Sequence, residues 1–369
     1  MKTIIHSLLC AMLLCFAASC SEQVEYRIDE SPVYGTFEPV SPMTRTQNCR
    51  SSGFVTSDAT SDYFQFRDTD RILLCRQDRA TGATTILVDC PWPESEDKEI
   101  LYTYLNVRDN YLYFMKSENE YEWCRVPVDG SAPYEVICTV SRDFLGIYFD
   151  AGHTYLYLMG LDDDDAKTLV PFDEETGEKG TPISVPDGLS PAFVYEGYVY
   201  GYRYAWEESR FYSQLWRYAL SGNGQEELVW DEWYQGNIQC MADNGKLYIN
   251  TMTNLDRAVY VTELDGSNPT RILSGAHVMR IIIHNGTMYL WMEKDGEYPA
   301  GIYTYDISRR LLSPLYLSED VILAPYFTGT GEVWFTTPYT GGGSPFRVGQ
   351  LHSVSLSGQL RDLSLPSSN

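Results

Sequence analysis

From about residue 49 onward the chain repeats one arrangement of apolar and polar positions. A short turn containing Gly or Asn leads into an apolar-aromatic-apolar strand, seven times over: DYFQF, NYLYF, TYLYL, YVYGY, KLYIN, TMYLW and EVWFT. The aligned aromatics are Phe64, Tyr113, Tyr157, Tyr200, Tyr248, Tyr289 and Trp334, recurring every 41 to 49 residues. A period in the forties is that of a four-stranded propeller blade. The pattern predicts an all-β chain forming a single β-propeller of seven four-stranded blades over residues 49–366.

Each copy supplies the other strands in the same order. The third strands include ILLCRQD, EWCRVPV, TLVPFD, QLWRYAL, AVYVTEL, GIYTYDI and QLHSVSL. Tight turns follow them, with Gly or Asn present to take the positive φ that hairpins need in every copy but one. The exception is Ser308-Arg309, where a wider loop is expected. First strands such as SRDFLGIYF, LSPAFVYE and NIQCMAD precede the aromatic strands, and His277 to His284 is nearly all apolar between its ends, as suits a strand lining the central channel. Because all seven copies are complete, the ring must close by packing of blade one on blade seven, or by a strand borrowed from residues 31–48. No helical periodicity runs for ten residues outside the N-terminus.

The N-terminus changes the picture from a fold to a location. Lys2, an apolar stretch from Ile4 to Phe16, and the small residues Ala17-Ala18-Ser19 form a signal peptide over residues 1–19, too short to span a bilayer. The cysteine directly after it, Cys20, resembles the bacterial lipobox, although Ala17 stands where the pattern prefers Leu. That resemblance implies lipidation of Cys20, a membrane attachment through lipid alone, and an extracytoplasmic place in the cell envelope, with the choice of membrane open. Residues 20–48, rich in Glu, Ser, Pro, Thr and Gln, are expected to be a flexible tether.

Composition removes one class of partner. With 51 Asp and Glu against 27 Lys and Arg the formal net charge is −24, which repels a phosphate backbone, so no nucleic-acid partner is expected. The same acidity suits solubility or a cationic ligand equally.

The blade pattern resembles the bacterial extracytoplasmic β-propellers named for their likeness to the low-density lipoprotein receptor-related protein. Trp123-Cys124-Arg125 through Asp129-Gly130-Ser131, and Val259-Tyr260 through Asp265-Gly266-Ser267, carry it. The Tyr-Trp-Thr-Asp signature of the receptor propellers is absent. The resemblance implies lipoproteins and secreted proteins of unassigned role, and brings no catalytic residues.

Second-to-third-strand loops and blade-to-blade loops leave a propeller on one face, and here they are the long ones. That loop face carries the candidate ligand-binding residues Trp92, Trp206, Glu207, Trp233, Tyr298 and Tyr339. Flat rings beside acceptor oxygens suit a glycan, and equally a cationic peptide through cation-π and charge-assisted contacts. The run from Asp162 to Asp165 makes Asp162 and Asp164 candidates for a hard cation, but the calcium-loop spacing is missing, so no metal site and no cofactor are expected.

Six cysteines follow Cys20. Cys75 with Cys90, and Cys124 with Cys138, flank tight turns and are open to cross-strand bridging, although buried free thiols are favoured. No paired histidine spacing and no G-x-S-x-G elbow occur, so the chain is expected to be non-catalytic. The expected function is therefore that of a monomeric, membrane-anchored binding propeller for a glycan, peptide or envelope protein. A carbohydrate-active enzyme with a carboxylate pair, and a structural scaffold lipoprotein in an envelope complex similar in plan to the propeller that helps insert outer-membrane barrels, are the alternatives.

Overall fold

The computed structural model describes residues 37–363 apart from 68–70, 92–100, 119, 161–165, 208–209, 222–224, 233–235, 254–256, 295–297, 319–321 and 338–349. Seven antiparallel four-stranded meanders form the ring. Blade one comprises β1 (Val55–Ser57), β2 (Ser61–Arg67), β3 (Arg71–Asp78) and β4 (Thr84–Pro91). Blade two runs from β5 (Leu101–Arg108) through β6 (Tyr111–Ser117) and β7 (Tyr121–Pro127) to β8 (Glu135–Thr139). Blade three has β9 (Phe144–Asp150), β10 (His153–Met159), β11 (Lys167–Phe172) and β12 (Ile183–Ser184), and blade four β13 (Leu189–Tyr195), β14 (Tyr198–Glu207), β15 (Arg210–Ala219) and β16 (Glu226–Glu232). β17 (Gly236–Asp243), β18 (Lys246–Thr253), β19 (Arg257–Glu263) and β20 (Thr270–Ser274) make blade five. Blade six is β21 (His277–His284), β22 (Thr287–Glu293), β23 (Gly301–Asp306) and β24 (Leu311–Leu317); blade seven is β25 (Leu323–Phe327), β26 (Glu332–Thr337), β27 (Gln350–Ser355) and β28 (Leu360–Asp362).

All seven aligned aromatics lie on second strands, and each is buried. They pack between blades, so the core is a set of apolar layers rather than a single centre. Tyr63, Leu74, Leu112 and Phe114 fill the layer between blades one and two, and Trp123, Phe149 and Phe172 that between two and three. Five of the first hairpins turn through two residues that both have positive φ, among them Asn285 (49°) and Gly286 (74°), which gives the turn a twist matching that of its strands. The Ser308-Arg309 turn is not wider, as its lack of Gly suggested. Residues 307–310 suffice, because Arg310 itself takes φ 53° and Asp306 accepts from Arg309 N at 2.9 Å and Ser308 Oγ at 2.7 Å.

Ring closure needs no borrowed strand: the described strands of blades one and seven each form a separate four-stranded sheet. The seam is apolar at Phe64, Leu73, Tyr326 and Trp334, and is clasped by Arg361 of β28. That guanidinium reaches Gln77 Oε1 at 2.6 Å, Asp62 Oδ2 at 3.4 Å and Glu332 Oε2 at 2.8 Å, and Arg79 adds a second cation 3.3 Å from Asp62. Both carboxylates are almost fully buried, and burial raises their pKa despite the arginines.

The principal departure from expectation lies at the centre. Residues 42–48, read as tether, belong to the helix α1 (Pro42–Arg50), and the expected domain boundary at residue 49 falls inside it. Ser41 caps it by accepting from Thr44 N at 3.1 Å, Pro42 opens it, and Arg50 sits in its last turn. Nine residues with no apolar stripe would not hold a helix in water. Here Met43, Thr44, Thr46, Gln47, Asn48 and Cys49 are buried, because α1 threads the central channel and touches the innermost strands of blades two to seven.

Innermost strands present a free edge to the channel, and the polar residues of α1 satisfy it. Thr44 Oγ1 donates to Ile283 O (3.1 Å) in blade six, and Phe149 N of blade three donates to Thr46 Oγ1 (3.0 Å). In blade seven Asn48 holds Phe327. Residues two apart on a helix are separated by about 200°, close to four steps round a seven-bladed ring. Thr44, Thr46 and Asn48 accordingly meet blades six, three and seven in turn.

The six described cysteines are free thiols. Cys75 faces Ile86 across the hairpin while Cys90 faces Ile72, and the two lie on opposite faces of blade one. Cys138 faces Trp123, the neighbour of Cys124, so those thiols also point to opposite faces. Neither bridge can form without moving the backbone.

Candidate functional site

The two faces of the disc differ because α1 enters from one of them. Glu38 N donates to Gly329 O at 2.7 Å, and the Glu38 carboxylate accepts from Asn285; both partners lie in first-to-second-strand turns. Going up the helix, contacts shift from Ile283, near the end of β21, to Arg280, three residues nearer its start. The helix therefore rises from the turn face toward the loop face. It ends partway, where Ser52 (φ 75°) and Gly53 (φ 57°) turn the chain outward into β1. At Gly53 a Cβ would stand 2.9 Å from Tyr104 Cα, so the backbones touch there.

This stops the channel at one end and leaves a cavity of about 100 Å³ above the helix terminus, lined by Gln47, Arg50, Gln239, Tyr248, Arg280 and their neighbours. Arg50, at the end of α1, remains accessible to solvent among the phenols of Tyr148, Tyr202 and Tyr204. Arg280 is enclosed. Its Nη1 donates to Ser51 Oγ at 2.5 Å, and its Nε is buried without a partner. Burial, with the Arg50 charge beside it, pulls the Arg280 pKa down to about 10, so both groups are cationic at neutral pH. Neither forms an ion pair with a described residue.

The surrounding groups are fixed. Gln239 Nε2 donates to Met279 O at 2.7 Å, and Tyr202 OH accepts from Cys240 N at 2.8 Å. Above Tyr202, the hairpin of β14 and β15, ten residues in each strand, extends toward the loop face. Tyr204 on it is 48% exposed, stacks on Phe211 with centroids 5.2 Å apart, and lies 6.0 Å from Tyr202. An aromatic run thus climbs from the cavity to the loop face.

The opposite end of the channel has a larger groove, about 540 Å³, where both arginines of the lining already have carboxylate partners. Arg45 pairs with the buried Glu174 at 3.5 Å, Arg108 pairs with Glu175, and Lys179 Nζ donates to Val140 O at 2.6 Å.

Of the residues expected to bind ligand, Tyr298 is half-buried against the apolar layers of blades four to six. Trp206 and Glu207 occupy the tip of the β14–β15 hairpin, opposite Phe211 and Arg210; their side chains lie outside the description. Trp92, Trp233, Tyr339, Asp162, Asp164 and Cys20 lie outside the described residues altogether. Among the described residues no three His, Cys, Asp or Glu side chains group as metal ligands would. Sequence reasoning missed Arg50 and Arg280. The signal was present: an arginine in the middle of HVMRIIIH, otherwise apolar between its histidine ends.

No known protein family and no curated protein matches the chain. Solved structures match its fold. The β-propeller domain of the Trilobed protease from Pyrococcus furiosus, described as having an open velcro topology, superposes with a TM-score of 0.58 at 12% identity over 85% of this chain and 98% of that one. A prolyl endopeptidase gives 0.58 at 12%, over 87% of this chain and 51% of its own. An oligogalacturonate lyase in complex with manganese gives 0.54 at 13%, over 93% and 99%. At such identities the likeness is one of fold.

Proposed function

We propose that the chain is a lipid-anchored, extracytoplasmic binding propeller, held through Cys20, that takes its ligand from the loop face into the mouth of the central channel without chemical conversion. The observation that carries this is the one-sided stopper. α1 enters the channel from the turn face, where the arginines of the groove are already paired, while beside its C-terminal end a polar cavity holds two guanidinium groups that pair with no described carboxylate. A half-buried guanidinium with an enclosed Nε and no carboxylate partner among the described residues costs stability unless an anion pairs with it. The described chain begins at the turn face, where Glu38 N donates to Gly329 O, so an anchor at Cys20 would attach from that side.

The carbohydrate-active alternative needs two carboxylates facing each other at the mouth, and the described lining of the cavity holds none. The purified protein screened against glycan and peptide arrays, beside a Trp206→Ala/Trp233→Ala double variant, tests the reading. Binding that weakens in the variant supports a loop-face site. An array without any ligand removes it and turns the search to an envelope protein. Cys20→Ser should release the protein from the membrane fraction; retention there would sink the anchor.

A further inference from the structure

We infer that the channel mouth recognises an acidic sugar, whose carboxylate enters the cavity between Arg50 and Arg280 while the sugar ring lies above, against the amides and the aromatic run. The inference rests on the channel-mouth reading and assigns its ligand class.

Charge selects the ligand first. The chain carries 51 carboxylate side chains, yet none of the described ones pairs with Arg50 or Arg280. A cation cannot approach two adjacent guanidiniums, so a lysine- or arginine-bearing peptide is excluded from this cavity. Arginine's planar fork suits a carboxylate in two-point contact. The cavity, about 100 Å³, holds such a group with a few waters, not a whole sugar ring. Carboxylate is the class we assign over phosphate or sulfate, because its two oxygens can each meet one of the two guanidiniums and the rest of the lining includes the apolar Met241 and Ile281.

The surroundings favour a sugar over a peptide carboxyl terminus. Gln47 and Gln239 offer amide groups of the kind that read hydroxyls, and the exposed Tyr204 ring, stacked on Phe211, provides a flat face for a pyranose to lie on. Gln239 is already held by Met279 O, so it is positioned before a ligand arrives.

The test is calorimetric titration of the full chain with glucuronate and digalacturonate, compared with methyl glucuronate ester, glucose, glucose 6-sulfate and a dipeptide with a free carboxylate. Arg280→Gln and Arg50→Gln are measured beside it, their folding checked by thermal melting. The expected result is uronate binding that falls about tenfold or more in the ester and in each folded variant. Equal binding of acid and ester, tighter binding of the sulfate or the dipeptide, or undiminished binding in folded Arg280→Gln overturns it. If an array ligand binds but no uronate does, this inference fails and the channel-mouth reading stands; if nothing binds, both fail.

Discussion

Asn48 holds both backbone polar groups of Phe327: its Nδ2 donates to the carbonyl at 2.7 Å and its Oδ1 accepts from the amide at 3.1 Å. This is the pair of bonds a neighbouring strand would make, delivered by a side chain on a helix. The innermost strand of blade seven is thereby closed off from edge pairing, and the N-terminal segment becomes part of the ring.

Asn48→Ala leaves a buried N–H and C=O without partners and should lower stability by about 2–4 kcal/mol, read from the urea midpoint. A chain beginning at Cys49 loses the whole stopper and should not give the sharp, cooperative melt of the chain that begins at residue 37. Equal melts of the two chains would show the helix to be an accessory.

Legibility of the sequence followed periodicity. Blades could be read because strand alternation and Gly or Asn turns recur at fixed spacing around Phe64, Tyr113 and their counterparts. α1 could not be read that way, because a helix enclosed on all sides by strand edges needs polar residues all round and has no apolar face to repeat. Its start was nonetheless signalled by Ser41-Pro42, a cap followed by proline at the first helical position. Arg50 and Arg280 were hidden for another reason: they are distant in sequence and acquire meaning only when the ring brings them together.

The Arg361 clasp should dominate ring closure. Arg361→Met strips Glu332 of its cation and leaves Asp62 with Arg79 alone, costing about 3 kcal/mol. Adding Glu332→Gln should recover part of that loss, since the uncompensated charge is then gone. A double-mutant cycle on urea midpoints checks this; strictly additive effects would mean that the pair does not interact.

Alkali should unfold the protein cooperatively. Burial pushes Cys49, Cys75 and Cys124 up to about 12, and also raises Tyr200 and Tyr289 to about 12. In the unfolded chain thiols release protons near pH ~8.5 and phenols near ~10. Over that window the native state binds more protons, so stability falls as pH rises from about 9 towards 12. Tyrosinate absorbance should therefore grow together with loss of the near-ultraviolet circular dichroism. Tyrosinate formation complete before the fold is lost would show these phenols to be accessible.

If the channel cations are kept for a ligand, removing one should stabilise the empty protein. Arg280 loses a hydrogen bond to Ser51 on replacement by Met, but the change also removes a half-buried charge whose Nε is enclosed without a partner, which no described acid pairs with and which repels Arg50. The second effect is the larger, because an enclosed, unpartnered Nε on an uncompensated charge costs more than one hydrogen bond returns. Arg280→Met should therefore melt higher than the parent by about 2 °C without ligand, and should lose the upward shift that a bound uronate gives the parent. A fall in melting temperature of similar size would instead make Arg280 a structural cation whose bond to Ser51 holds the end of the helix in place.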